Sequence, residues 1–257
     1  MNPALEGPEN GQSVSLAPEK RFGGKITWLG HAAFLIESPR GVRIALDPWI
    51  GNNPKFPKGF DYGKLDVIAP SHGHFDHFGD DGIGLAKRTG ATVVGIFELT
   101  LHCGAAGVEK TAGMNKGGAQ TISGVEFRMT HAVHSSGASG AGKEKNFPGD
   151  PCGWVLTFED GFRVYHAGDT GVFSDMALIG ELDRPDVALL PIGDFYTMGP
   201  RHAAKACELL GAPRVIPMHW GTFPALIGNP NALREELKKR RLETEVIELA
   251  PGESWPR

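Results

Sequence analysis

From Lys25 onward, short apolar or β-branched runs alternate with glycine, proline and aspartate clusters, the spacing of buried strands between tight turns. This pattern predicts strands over Lys25–Leu29, Ala33–Glu37, Val42–Leu46, Val67–Pro70 and Thr92–Ile96. A second series follows at Val125–Thr130, Trp154–Phe158, Arg163–His166, Val187–Pro191, Val215–Met218 and Glu245–Leu249. Helical periodicity predicts helices over Asp80–Arg88, Phe97–Ala105, Asp175–Glu181, Pro200–Leu210 and Asn231–Arg241, with a proline at the first turn of the fourth. Two series of strands with helices between them predict an α/β protein, a four-layer αββα sandwich of two mixed β-sheets flanked by helices; a doubly wound sheet is the alternative.

The length of 257 residues suits one domain. Residues 1–22 are polar and rich in proline, glutamate and glycine, so they read as a flexible leader, and 23–257 as a single domain. The leader lacks the apolar core of a signal peptide, and no apolar run approaches the roughly 18 to 20 residues that span a bilayer. Thirty acidic against 26 basic residues give a net charge of -4, no global field for nucleic acid or an anionic membrane. The three cysteines, Cys103, Cys152 and Cys207, are far apart and odd in number, which argues against a disulfide framework and for a soluble protein of the cytoplasm.

The chemistry concentrates where Val67-Ile-Ala-Pro-Ser leads into His72-Gly-His-Phe-Asp-His77, three histidines and an aspartate within six positions after an apolar strand. Imidazole and carboxylate suit zinc, manganese, iron or nickel, and closed structural zinc sites usually draw on cysteine, which this segment lacks. Further candidates follow other apolar runs: His131 and His134, His166 and Asp169, and His219. His102 and His202 fall in helical patterns and read as ordinary. Gly137-Ala-Ser-Gly-Ala-Gly-Lys-Glu144 has the spacing of a phosphate loop but ends in glutamate, so it reads instead as a lid carrying Lys143 and Lys145. Trp49, Phe56, Phe60, Phe147 and Trp220 are candidate apolar walls.

Taken in order, Asp47 in Leu-Asp-Pro, the His72–His77 motif, His134, Asp169 in Gly-Asp-Thr, and His219 resemble the five motifs of the metallo-β-lactamase superfamily from Lys25 to the C-terminus. Gly30-His-Ala-Ala-Phe, His131-Ala-Val-His-Ser-Ser and Pro191-Ile-Gly-Asp-Phe-Tyr-Thr-Met-Gly-Pro resemble a narrower branch of metal-dependent hydrolases akin to L-ascorbate-6-phosphate lactonase and N-acyl-phosphatidylethanolamine phospholipase D. The resemblance implies one divalent ion on His72, His74 and His134 and a second on Asp76, His77 and His219. Asp169 and a hydroxide would bridge the two. His134 is preferred over His131 as the third-motif ligand because Ser-Ser-Gly follows it. His131, His166 and Asp47 then fall to supporting roles behind the ligands, since metal-bound histidines commonly donate their other ring N–H to a carboxylate. His31 lies near the metals in the resembled branch and is a candidate substrate contact; Asp76 and Asp169 are candidate proton acceptors.

The function implied is dinuclear metal-dependent hydrolysis of an ester-like bond in a small molecule, either a lactone or carboxylic ester or a phosphodiester. Two alternatives stand beside it: a nuclease or phosphodiesterase acting on nucleic acid, and a non-catalytic metal-binding module. The sequence leaves homo-oligomerisation open.

Overall fold

A computed structural model describes residues 20–137 and 148–256. The first half of the chain forms β1 (Lys25–Trp28), β2 (Phe34–Glu37), β3 (Arg43–Leu46), β4 (Val67–Ala69), α1 (Gly79–Thr89), β5 (Thr92–Ile96), α2 (Phe97–Ala105) and β6 (Thr111–Met114). The second forms β7 (Ala119–Ile122), β8 (Val125–His131), β9 (Cys152–Thr157), β10 (Arg163–His166), α3 (Met176–Leu182), β11 (Val187–Pro191), α4 (Pro200–Leu210), β12 (Arg214–Met218), α5 (Pro230–Lys239) and β13 (Glu245–Val246), ending in β14 (Ser254–Trp255).

These strands make two seven-stranded mixed sheets, ordered β14-β1-β2-β3-β4-β5-β6 and β13-β12-β11-β10-β9-β8-β7. The two share one plan. From β14 the first sheet runs through three antiparallel pairings and then three parallel ones. The second repeats that sequence from β7. Strand β8 shows how the sequence selects its face: Val125, Phe127 and Met129 are buried while Glu126 and Arg128 between them are only partly so.

One core, containing Trp28, Phe34, Phe127 and Trp154, joins the two sheets and continues to Leu85 of α1 and Leu99 of α2. A second core lies between the other sheet and its helices, where Tyr165 and Leu190 meet Ala203, Cys207 and Leu233. This is the expected αββα sandwich. The helices end where their sequences dictate. Pro200 opens α4 and Gly211 closes it in a left-handed conformation, while the Asn229 side chain accepts a hydrogen bond from Ala232 N at the start of α5. The α4 face is mostly alanine, so α3 approaches closely: a Cβ on Gly180 would lie 2.5 Å from Leu210 O.

Three strands escape the hydrophobic pattern. β6 and β7 are edge strands whose Thr, Ala, Gly and Gln positions stay exposed or partly so, each ending in one apolar residue, Met114 or Ile122, and β14 is two residues long. β13 covers only the start of the predicted Glu245–Leu249 strand. Of the leader, residues 1–19 lie outside the described residues, whereas Phe22 is buried against Phe158 and Phe162 at ring distances of 5.0 and 4.7 Å. The three cysteines are free and buried. Among the described residues, no helix is long and apolar enough to cross a membrane.

Candidate metal centre

β1 and β3 both run against β2, and β4 runs parallel to β3; likewise β8 and β10 run against β9, and β12 continues the parallel run. The carboxyl ends of these strands therefore share an edge, and the candidate residues follow them: His31 after β1, Asp47 after β3, His72–His77 after β4, His134 after β8, Asp169 after β10 and His219 after β12. His31, Asp47 and His219 adopt left-handed backbone angles, with φ of 56°, 43° and 56°. For residues other than glycine such angles cost about 1–3 kcal/mol each and concentrate at functional sites. The strain is held by backbone hydrogen bonds such as His219 N to His31 O, 2.9 Å.

Asp47 is the hub behind the cluster. Its buried carboxylate accepts from Ser71 N (2.6 Å), Ser71 Oγ (2.8 Å) and His77 Nδ1 (2.8 Å). Because Ser71 Oγ donates to Asp47, it accepts from His72 Nδ1 at 2.9 Å, which turns the His72 Nε2 lone pair towards His74 and His134. His166 Nδ1 accepts from Gly168 N, and its Nε2 faces Ala32 O and Asp47. Gly168, at φ 60°, lets the Asp169 loop pass Ser71, since a Cβ there would lie 2.6 Å from the Ser71 Cβ.

Asp169 is at the centre. Its Oδ2 lies 3.1 Å from His219 Nε2, 3.2 Å from His77 Nε2 and 3.5 Å from His134 Nε2. His72 Nε2 and His74 Nδ1 are 2.8 Å apart. The donor atoms form three groups, each within 4.8 Å: His72, His74 and His134; His72, His77 and Asp169; and His31, Asp76, His77 and His219. His77 Nε2, Asp169 Oδ1 and both His219 ring nitrogens are buried without a hydrogen-bond partner. Unpaired buried polar atoms are costly, and a set of them converging from three loops is what a divalent cation satisfies.

Burial, helped by neighbouring histidines, lowers His72 well below the usual imidazole range and lowers His74 and His134 as well, keeping them neutral and able to ligate. Burial also opposes charge on His77, but the Asp169 and Asp47 carboxylates outweigh it and hold this imidazole well above that range. For Asp169, burial is overcome by the charges of His219 and His77, which hold the carboxyl well below its ordinary value. Burial and then His219 lower His31 to about 4. Its Nδ1 meets Thr222 Oγ1 at 3.0 Å, its Nε2 meets Asp76 Oδ2 at 3.3 Å, and its ring lies 3.8 Å from that of His219. Burial opposes ionisation of Asp76, but the His31 hydrogen bond and the His77 charge lower it to about 2.

One expected supporting residue is misplaced. His131 ends β8 pointing away from the cluster: it is exposed, packs its ring on Phe173 and lies 3.4 Å from Lys116 Nζ. The alternation of β8 breaks at its end, where Met129 and Thr130 are both buried and His131, which the two-residue period would turn inward, faces out instead. His102 and His202 are outside the donor groups. The proposed aromatic walls are also revised. Trp49 sits behind His31 and Phe75, Trp220 stacks on Trp28, and Phe56 and Phe60 pack with Tyr62. Phe147, Lys143 and Lys145 lie outside the described residues. A cavity of about 740 Å³ over the cluster is lined instead by Phe75, Tyr196, Phe223 and Pro224, with His74, Asp76, His134, Asp169 and His219 at its base. Ser71 and Thr222 escaped the sequence reading because a lone hydroxyl carries no pattern, although Ser71 directly precedes the histidine motif.

Fold and cluster together define a metal-dependent hydrolase, and the chain belongs to the metallo-β-lactamase superfamily: the family described as beta-lactamase superfamily domain matches residues 25–219. The chain is 51% identical over 234 residues to a UPF0173 metal-dependent hydrolase of Herpetosiphon aurantiacus, covering 90% of this chain and 96% of that protein. It is 47% identical over 233 residues to one from Methanopyrus kandleri, covering 91% and 100%. Among solved structures it is similar to Igni18, a metallo hydrolase of the archaeon Ignicoccus hospitalis, with a TM-score of 0.79 and 39% identity over 90% of this chain and 97% of that one.

Proposed function

We propose that this hydrolase is dinuclear and cleaves an ester-like bond in a small molecule, a lactone or carboxylic ester or a phosphodiester. The observation that carries the reading is the three donor groups, which overlap at His72 and His77, with the buried Asp169 Oδ2 within 3.5 Å of His77, His134 and His219 and its Oδ1 unpartnered. His72, His74 and His134 would hold one ion, Asp76, His77 and His219 the other, and Asp169 both. Zinc leads for such a donor set, with manganese, iron and nickel as alternatives. When bound, a pair of divalent ions supplies a water acidified towards neutral pH and a Lewis acid for the scissile oxygen.

The remaining work belongs to the chain. Asp47, through Ser71 and directly, orients His72 and His77; His166 supports Asp47 from behind. Asp76 and Asp169, the two carboxylates among the cavity-lining residues, would accept the proton during attack. His31, pinned by Thr222, fixes the Asp76 carboxylate at the cavity floor; it is fully buried and does not line the cavity, so in place of the expected substrate contact it acts through Asp76. Three free buried cysteines support a reducing compartment such as the cytoplasm.

The test is elemental analysis joined to hydrolysis assays on lactones, carboxylic esters and phosphodiesters, comparing wild type with His74→Ala and Asp169→Ala. Near two metals per chain and ligand-dependent turnover of one class are expected. Bound metal without turnover of any class would favour the non-catalytic module; salt-dependent DNA binding with cleavage would favour the nuclease.

A further inference from the structure

The walls of the cavity above the donor groups carry a preference that the donors themselves do not. Above the metal-facing base, the lining is Phe75, Tyr196, Phe223, Pro224, Ala225 and Ser135. Among the described residues, no lysine or arginine lines it. Lys55 is engaged elsewhere, its Nζ 3.0 Å from Trp220 O and 4.2 Å above the Trp220 ring. Apart from the Ser135 and Tyr196 hydroxyls, the described walls offer rings and methylenes rather than charge to whatever part of a substrate lies beyond the donor groups.

The aromatic side chains are displayed at a cost. Phe75 is 50% exposed, Tyr196 58% and Phe195 71%, all at the mouth of the same cavity or beside it. Asp194 and Phe195 are consecutive residues in the left-handed region, with φ of 68° and 63°. Neither is glycine, so each carries strain that the surroundings must hold. The restraint is local and firm: Asp194 Oδ1 accepts from Phe195 N at 2.8 Å and Asp194 O accepts from Tyr196 N at 2.8 Å. Met198 N then donates to Thr170 O at 3.0 Å, tying the turn to the loop that carries Asp169. A strained turn that holds two large rings in water beside a metal cluster, rather than burying them, is explained by a ligand that covers them.

We propose that this cleft selects an uncharged carboxylic ester or lactone bearing an apolar or aryl group, seated against Phe75, Tyr196 and Phe223, and that the Asp194–Tyr196 turn sets the preference. The proposal rests on the hydrolase reading above and narrows it. Hydrolysis of such an ester breaks the acyl C–O bond and adds one water, releasing a carboxylate, a proton and an alcohol, so no further reactant is required. Tyr196 acts here as a specificity-determining residue.

The experiment measures kcat and KM of the metal-replete enzyme on p-nitrophenyl acetate, p-nitrophenyl butyrate and bis(p-nitrophenyl) phosphate, for wild type, Tyr196→Ala, Tyr196→Phe and Phe223→Ala. The phosphodiester carries two aryl rings and a negative charge, so it separates a taste for apolar groups from a tolerance of anions. Each added methylene in an apolar pocket is worth roughly tenfold or more in kcat/KM, so butyrate is expected to exceed acetate and both to exceed the phosphodiester. In Tyr196→Ala and Phe223→Ala the butyrate-to-acetate ratio is expected to fall towards one, chiefly through KM, while Tyr196→Phe keeps it. Preference for the phosphodiester, or an unchanged ratio in both alanine variants, overturns the proposal and leaves the hydrolase reading standing. Absence of turnover on all three substrates with metal bound overturns both.

Discussion

Asp47 touches both halves of the donor cluster, which makes its removal more damaging than its distance from substrate suggests. Asp47→Ala frees His72 and His77 to turn, and loss of such a supporting carboxylate typically costs 10- to 100-fold in metal affinity. Competitive chelator titration is expected to show that loss, and the same titration on His131→Ala is expected to match wild type because His131 points away from the cluster. A second expectation concerns protons. In metal-free protein the raised His77 holds its proton at neutral pH, a bound state that is fully populated below the ordinary imidazole range and is lost only as pH rises through the raised value. An arriving ion must displace that proton, so apparent metal affinity should rise with pH by up to about tenfold per unit for one proton. Indicator dye in weak buffer should report proton release on metal addition; an affinity flat between pH 6 and 8 would contradict this. The clustering of His72, His74, Asp76 and His77 was legible because three histidines and an aspartate in six residues have no packing explanation. Around it, Asp47 lies against His77 and His166 against Asp47, whereas His131 faces away, because which way a strand-end side chain turns depends on local backbone detail that the sequence does not carry.

The elements that could be read were those whose interiors are apolar and whose ends carry turn chemistry. Helix α5 is an example, with Asn229 and Pro230 at its start, and so is α4, with Pro200 and Gly211. What could not be read were edges, where β6 and β7 have little to bury, and short pairings such as β14, which exists only because β1 offers a free side. The aromatic walls were misread for a related reason: long-range packing decides whether a ring faces the core or a cavity. The α3–α4 contact gives this scale its own test. Gly180→Val places side-chain atoms against the Leu209 and Leu210 carbonyls, where even a Cβ comes within 2.7 and 2.5 Å. Overpacking of this kind costs about 1–3 kcal/mol. Thermal melting should show a drop of roughly 2–4 °C per kcal/mol for a domain of this size, with metal stoichiometry retained.

At the level of the molecule, the donors are divided between the sheets. His72, His74, Asp76 and His77 come from the first, and His134, Asp169 and His219 from loops of the second. An ion that binds this set binds only the folded arrangement, so saturation at about 100 times its dissociation constant adds about 2.7 kcal/mol. Chelation is expected to lower the melting temperature, and Asp169→Ala to abolish most of that difference. The αββα layering was legible because both strand series are apolar, but the sequence did not disclose that the series repeat one another. In that repeat His31 after β1 corresponds to His134 after β8, and Asp47 after β3 to Asp169 after β10. A chain opened at the Asn115–Gly118 turn would therefore yield two fragments of like plan, each owning an incomplete half-site. Strand β14 would remain with the later fragment and clasp the earlier one along β1. Such fragments would behave as a complementation pair whose association is titrated by metal concentration.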